Sequence, residues 1–242
     1  MQFANIEWRK DTGSSGQSQP YSIDFNDVYF NTDDGLQETE YVFIAHNQLA
    51  QRFSAPNLSS FTIIETGFGT GLNFLVVSHL WLKLAPKTAT LHYIGIEKMP
   101  LSLVDLTRTH ALWPQFADIS RELITQYSTL NTMLKSGTHH FSLATGRIQL
   151  GLQADDIMLV LPKLSKIADA WLLDGFAPAK NASMWSCEVF AQMARLSKTG
   201  TTFATFTSAG DVKRGLQAAG FEVSKHKGFG KKREMLSGIF TG

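Results

Sequence analysis

From residue 61 onward, short apolar runs and helical periodicities take turns along the chain, the pattern of a parallel sheet with crossover helices. FTIIET at 61–66 is short and rich in β-branched residues, as a buried strand requires. A largely apolar helix is expected over about 71–84, and LHYIGIE at 91–97 reads as a second strand. Pro100 opens a helix, a position where its missing N–H costs little. Residues 114–135 read as an amphipathic helix, and HHFSLATGRIQLGLQ at 139–153 as two strands about Thr145-Gly146, a hairpin inserted into the alternation. DAWLLDG at 169–175 is a buried strand, followed by a helix over about 183–196 and a strand, TTFATFT, at 201–207. A helix over 209–219 then stops at Gly220, a common C-terminal signal.

The alternation breaks at the end. FEVSKHK (221–227) and EMLSGIF (234–240) are strands separated only by GFGKKR, too short for a parallel crossover, so they form an antiparallel hairpin. An α/β sheet finished in this way is unlike the standard dinucleotide fold. It matches the Rossmann-like sheet of class I methyltransferases, whose last strand runs antiparallel. The first 60 residues, with DVYFNTDDGLQETEYVFI at 27–44, read as a small β extension. The chain therefore divides into an N-terminal extension, 1–60, packed on a core of 61–242.

Composition narrows the classes. At 242 residues, with 43% hydrophobic and 18% charged, the chain suits one globular domain. No apolar run approaches the roughly 18 residues of a membrane span, and MQFANIEWRK lacks the apolar segment of a signal peptide. A cytoplasmic chain without a membrane partner is expected. The single cysteine, Cys187, excludes an intrachain disulfide and a cysteine-based zinc site, and reads as a packing residue. His139, His140 and His226 have no metal-like spacing, so no metal is expected; Trp171 and Trp185 read as core. Net charge is +1, but residues 210–242 carry seven Lys/Arg against three acids. Residues 24–40 hold Asp24, Asp27, Asp33, Asp34, Glu38 and Glu40 and no cation. The basic end can hold nucleic acid or can be an ordinary solvated face.

The candidate chemistry sits where strands end. IIETGFGTGLNF at 63–74 carries Gly67, Gly69 and Gly71 directly after a strand and before a helix. Such a turn puts bare backbone and a positive helix end at the carboxyl edge of the sheet. Its spacing is G-x-G-x-G, with Leu72 where the third glycine of the dinucleotide fingerprint would fall, and Glu65 two residues ahead. E/D-x-G-x-G-x-G is the first motif of S-adenosylmethionine (SAM) methyltransferases. Glu97 ends the next strand, where a carboxylate accepts from ribose hydroxyls in NAD and SAM proteins alike. Asp155-Asp156 follows the hairpin, and either reaches an adenine amino group or caps a helix. Asp174 closes a strand beside the glycine turn, followed by Gly175-Phe176-Ala177-Pro178, a tight loop that would hold the Phe176 ring outward for stacking on a base. Amine methyltransferases commonly carry D/N-P-P-F/Y here. A carboxylate in a dry site can take the proton of an ammonium and orient the neutral amine for attack on a sulfonium methyl.

Taken together, DFNDVYF (24–30), GLQETEYVF (35–43), ETGFGTGLNFL (65–75), WLLDGFAPAKN (171–181), MARL (193–196), ATFTSAG (204–210), KRGLQAAGF (213–221) and KGFGKKREML (227–236) resemble the methyltransferase domain of the MnmC family almost end to end. The resemblance implies SAM-dependent N-methylation of 5-aminomethyl-2-thiouridine at the tRNA wobble position, giving 5-methylaminomethyl-2-thiouridine. In that family a second, FAD-dependent oxidoreductase domain first removes a carboxymethyl group; no FAD is expected in this chain, and that domain or a separate protein would supply the amine. The resemblance further implies that Glu65, Gly67, Gly69, Gly71 and Asn73 line the methionine of SAM, with Phe68 also in the cofactor site. Glu97 would hold its ribose, with Lys98 and Met99 beside the adenine. Asp156 fits the family's G-D-I, while Asp155 replaces its glycine, leaving open which acid meets adenine. Asp174 would be the catalytic acceptor, and Phe25, Tyr29, Phe176, Pro178 and Lys180 the nucleoside pocket. Lys231, Lys232 and Arg233 would meet phosphates of the anticodon loop, where a wobble base is splayed out more cheaply than from a duplex. The competing readings are a SAM methyltransferase for another amine, and a non-catalytic nucleotide- or RNA-binding module.

Overall fold

A computed structural model describes residues 2–10, 18–31, 34–130 and 136–242, so Asp33 of the acidic stretch and 131–135 of the expected amphipathic helix lie outside the described residues. The chain opens with β1 (Ile6–Lys10), β2 (Ser18–Ser22) and β3 (Asp27–Val28), a small antiparallel sheet. The remainder of the expected β extension is helical. Asp34 accepts the Gln37 N–H at 2.8 Å and caps α1 (Gly35–Thr39), which widens into a π-turn (Glu40–Ala45) and is followed by α2 (Leu49–Phe53). Buried Thr39, Val42, Phe43, Leu49 and Phe53 recur at helical spacing and face the core. Helical period, not β-propensity, decides this segment.

The core follows as β4 (Ser60–Glu65), α3 (Leu72–Leu84), β5 (Thr90–Ile96), α4 (Leu103–His110), α5 (Ala117–Leu130), β6 (Gly137–Leu143), β7 (Ile148–Ala154), α6 (Ile157–Val160), β8 (Ala168–Leu172), α7 (Cys187–Arg195), β9 (Ser197–Thr205), α8 (Gly210–Ala218), β10 (Phe221–Lys227) and β11 (Glu234–Phe240). The eight strands β4–β11 lie in the order β10-β11-β9-β8-β4-β5-β7-β6. Pairing is parallel from β9 through β8, β4 and β5 to β7, and antiparallel for β6, β10 and β11. The terminal hairpin is as expected. The 139–153 hairpin is not an insertion: β7 pairs with β5 as a full member of the parallel sheet, and β6 adds the edge.

Several element ends differ from the sequence reading for local reasons. Ser102, not Pro100, caps α4, accepting the Asp105 N–H at 3.1 Å. Residues 182–185 form a 3-10 turn, and Ser186 caps α7, so the expected helix starts late. Cys187 opens α7 exposed, and its reading as a packing residue is corrected. Trp171 and Trp185 are buried, as expected.

Alternate residues of the central strands feed two apolar layers, so parallel strands are covered on both faces. Phe61, Ile63 and Tyr93 join Phe74, Trp81 and Phe141 on one side. Ile64, Ile94 and Trp171 join Val189, Phe190 and Leu216 on the other. Because β4 is flanked by β5 on one side and β8 on the other, chain order reverses there. The crevice of such a sheet opens at the carboxyl ends of these strands.

Candidate active site

The glycine turn between β4 and α3 is fixed from three sides. Thr66 donates from Oγ1 to the Asp174 carbonyl (2.9 Å), the Phe68 N–H to Ile96 O (3.0 Å), and His110 Nε2 to Thr70 O (2.9 Å). Burial lowers the His110 pKa to about 4, so the ring is neutral. The glycines answer to different demands. A Cβ on Gly67 would stand 2.8 Å from Asp174 O and Gly175 Cα, so it is the protein's own backbone, rather than a ligand, that crowds out a side chain there. Gly69 and Gly71 hold φ of +50° and +76°, the left-handed region.

Asn73, on the first turn of α3, ties two carboxylates together. Its Nδ2 donates to Glu65 Oε1 (2.7 Å) and to Asp174 Oδ2 (2.6 Å), while its Oδ1 accepts from Thr39 Oγ1 (2.8 Å). Glu65 is fully buried and takes a second bond from the Tyr93 hydroxyl at 2.8 Å. Burial, then the nearby Asp174 charge, pushes its carboxyl well above the usual range. Glu65 thus stands behind the cavity wall as the anchor of Asn73, not in the wall. Asp174 is half-buried and on the wall; its Oδ1 accepts the Gly175 N–H at 2.8 Å. Burial is the main force raising its pKa to about 6.

The cavity encloses about 1010 Å³ counted to its open mouth. Gly67, Phe68, Gly69, Asn73, Glu97, Lys98, Asp155, Asp156 and Asp174 all line it, so the sequence-predicted groups converge. Glu97 accepts the Gly69 N–H through Oε2 and the Met99 N–H through Oε1, both at 2.9 Å. Each oxygen keeps lone-pair capacity for a hydroxyl donor. Burial raises its pKa against these bonds. Asp156 caps α6 by accepting the Met158 N–H at 2.9 Å and pairs with Lys98 Nζ at 2.9 Å, so the helix-capping reading holds for it. Asp155 accepts from Ser136 Oγ and from the Asp156 N–H. Gly71 and Met99 are not on the wall; they shape the loops behind it.

Two residues beyond Asp174, Phe176 stacks on Phe25 (centroids 4.4 Å, 20°) and meets Tyr29 edge-on at 5.3 Å. Phe176 is half-buried in this aromatic group rather than projecting alone, and Trp185 Nε1 donates to its carbonyl at 3.0 Å. Tyr29 lies over Gly69, 3.3 Å from where a Cβ would be. Lys180 and Pro178 are off the wall. Lys180 straps the loop to the N-terminal sheet through Asp27 (3.2 Å) and Asn26 O (2.5 Å). The hairpin cations Lys231, Lys232 and Arg233 are all exposed, and Lys232 reaches back to Glu38 at 2.7 Å.

The sequence reading assigned no role to Glu38, Thr39, Phe206, Asn181 or Met184, which also line the cavity. The GLQETEYVF block held the signal for the first two. Among the described residues no group of three or more His, Cys, Asp or Glu is placed to hold a metal, and no helix is long and apolar enough to cross a membrane.

A family model described as S-adenosyl-L-methionine-dependent methyltransferase matches residues 114–241, just over half of the chain. A Methylobacillus flagellatus protein named tRNA 5-methylaminomethyl-2-thiouridine biosynthesis bifunctional protein MnmC is 50% identical over 238 residues, 98% of this chain and 35% of that protein. The Chromobacterium violaceum protein of the same name is 52% identical over 221 residues, 91% of this chain and 33% of its own length. The chain spans about a third of the length of the curated relatives it matches. The solved structure of MNMC2 from Aquifex aeolicus shares the fold at a TM-score of 0.77 and 18% identity, over 97% of this chain and 70% of that one.

Proposed function

The chain belongs to the S-adenosyl-L-methionine-dependent methyltransferase family, and from that premise we propose that it methylates the primary amine of 5-aminomethyl-2-thiouridine at the wobble position of tRNA. The observation that carries this reading is Asp174: a half-buried carboxylate lining a cavity directly beside the glycine turn and two residues from an aromatic stack.

The wall residues fit a nucleoside donor. Glu97 retains acceptor capacity at a strand end, Lys98 and the Asp155-Asp156 pair lie on the same side, and the turn at 67–71 offers bare backbone. Gly67, Gly69 and Asn73 would hold the methionine end, Glu97 the ribose, and Lys98 with Asp155 or Asp156 the adenine. When bound, SAM supplies an activated methyl on a positively charged sulfur.

The chain's own task is to deliver an amine with a free lone pair. An aminomethyl group near neutral pH is mostly ammonium and cannot attack. With its pKa near 6, Asp174 is ionised at neutral pH yet basic enough to accept a proton in a desolvated site. The Asn73 amide and the Gly175 N–H fix both of its oxygens, so it is oriented before substrate arrives. Phe176, with Phe25 and Tyr29 behind it, offers a face for the thiouracil ring. Lys231 and Arg233, exposed on either side of Lys232 in the β10–β11 turn, would suit anticodon-loop phosphates. Removal of a carboxymethyl group, which would expose the amine, is assigned to a FAD-dependent activity elsewhere, joined or separate; no FAD and no metal enter the step described here.

The test is incubation with methyl-labelled SAM and tRNA bearing 5-aminomethyl-2-thiouridine, followed by nucleoside mass spectrometry. Label in 5-methylaminomethyl-2-thiouridine is expected. Absence of label in tRNA, or equally fast labelling of the free nucleoside, would remove the proposal.

A further inference from the structure

One carboxylate on the cavity wall has no part in the proton transfer above. Glu38, on α1, lines the cavity, and its side chain is only 13% exposed. Its partner is Lys232, from the turn between β10 and β11, with Nζ 2.7 Å from Oε1. The same Nζ lies 4.4 Å from the centroid of Phe206, another wall residue. A carboxylate edge and an aromatic face around one ammonium form a cation receptor.

The two halves of this pair differ in how they are held. Glu38 is held by a capped helix, and neighbouring Thr39 is bonded to Asn73. The Lys232 side chain is 42% exposed on a surface turn and can swing out without disturbing the core. The seat also communicates with Asp174. After burial and its hydrogen bonds, Glu38 pushes the Asp174 pKa up and Lys232 pulls it down.

A lysine head group is a primary alkylammonium on a CH2, chemically the same as a protonated aminomethyl group. We propose that Glu38 and Phe206 form the seat for the ammonium of the methyl acceptor, and that Lys232 is its resident substitute, displaced when substrate enters. The inference rests on the amine-methylation reading and names its specificity determinant. Exchange of one ammonium for another keeps Glu38 paired until the acceptor's proton passes to Asp174. An unmodified uridine or a neutral hydroxymethyl analogue that displaced Lys232 would leave a largely buried carboxylate without a counter-ion, a state that is strongly disfavoured. Discrimination thus comes from the uncompensated charge as much as from any new contact. Two ammoniums visit such a site, the acceptor's and the donor's α-amino group, and the measurements below separate them.

The experiment compares wild type with Glu38→Gln and Lys232→Met. For tRNA bearing the aminomethyl group, Glu38→Gln is expected to raise KM at least tenfold while the donor Kd stays within twofold. Lys232→Met is expected to lower KM for tRNA, because the competitor is gone; a lysine that served phosphates would give a rise, and that result would overturn the substitute role. A Glu38→Gln effect confined to the donor Kd would assign the seat to the donor's α-amino group and overturn the proposal. If wild type transfers no methyl to this tRNA, the amine-methylation reading fails by itself. Calorimetry with ethylammonium then judges the seat directly: Lys232→Met should bind it, and the double variant E38Q/K232M should bind at least tenfold more weakly. Equal affinities would sink the seat.

Discussion

Replacing Asp174 by Asn should remove activity and stabilise the fold at the same time. The native carboxyl titrates at about 6 against an ordinary 3.8, mainly because it is buried. The folded protein therefore binds more protons than the unfolded chain between about pH 4 and 6, and stability falls as pH rises through that window. About two pKa units correspond to roughly 3 kcal/mol of destabilisation above pH 6. An amide is uncharged but accepts through one oxygen, so it can keep Asn73 Nδ2 or the Gly175 N–H but not both. The lost bond costs about 1 kcal/mol, and partial exposure screens part of the gain. A net stabilisation of about 1 kcal/mol remains, or roughly 2–4 °C in Tm for a chain of this size. Thermal melts at pH 8 and pH 5 read it: the net gain should be present at pH 8 and nearly vanish at pH 5, where the native carboxyl is mostly protonated and the lost hydrogen bond offsets what charge relief remains. Single-turnover methyl transfer should fall by about 10²–10⁴-fold, the usual worth of a positioned base. A variant that transfers methyl within tenfold of wild type, or that loses stability equally at both pH values, would refute the reasoning.

Other outcomes follow from the same geometry. Because Asp174 must be ionised to accept a proton, single-turnover rates should climb with pH up to about 6 and then level off; a profile flat from pH 5 to 8 would count against it. Asn73→Ala strips a donor from both Glu65 and Asp174, costing about 1–3 kcal/mol in urea denaturation. It should also move the acid limb of the rate profile upward, since the Asn73 bond lowers the Asp174 pKa. Gly67→Ala drives a Cβ into the backbone at 174–175 and should cost about 1–3 kcal/mol, with weaker donor binding by calorimetry. Affinity for tRNA, read by filter binding between 50 and 200 mM salt, should fall steeply if Lys231 and Arg233 meet phosphates, by about one salt-slope unit per contact.

What could be read from the sequence was whatever local pattern determines. Strand-turn-helix at 60–84 and the closing hairpin at 221–240 follow from period and loop length. Glu97, Asp174 and the glycine turn converge because strand ends of a parallel sheet share one edge. Residues 35–53 misled because Tyr41, Val42, Phe43 and Ile44 favour strands locally, while an Asp34 cap and burial on one face make them helical. The roles of Glu65 and Asn73 depend on Tyr93 and Thr39, 28 and 34 residues away in the chain, which no local motif encodes. The reach of Lys232 back to Glu38 depends on a partner still farther off, 194 residues before it.

The most direct test is a crystal structure with S-adenosylhomocysteine bound. Its ribose is predicted on Glu97, its amino-acid end along 67–71, and its sulfur on the side of the cavity that Asp174 faces. A ligand seated away from that turn, or an Asp174 carboxylate turned out of reach of the sulfur side, would contradict the assignment of Asp174 as the group that frees the amine.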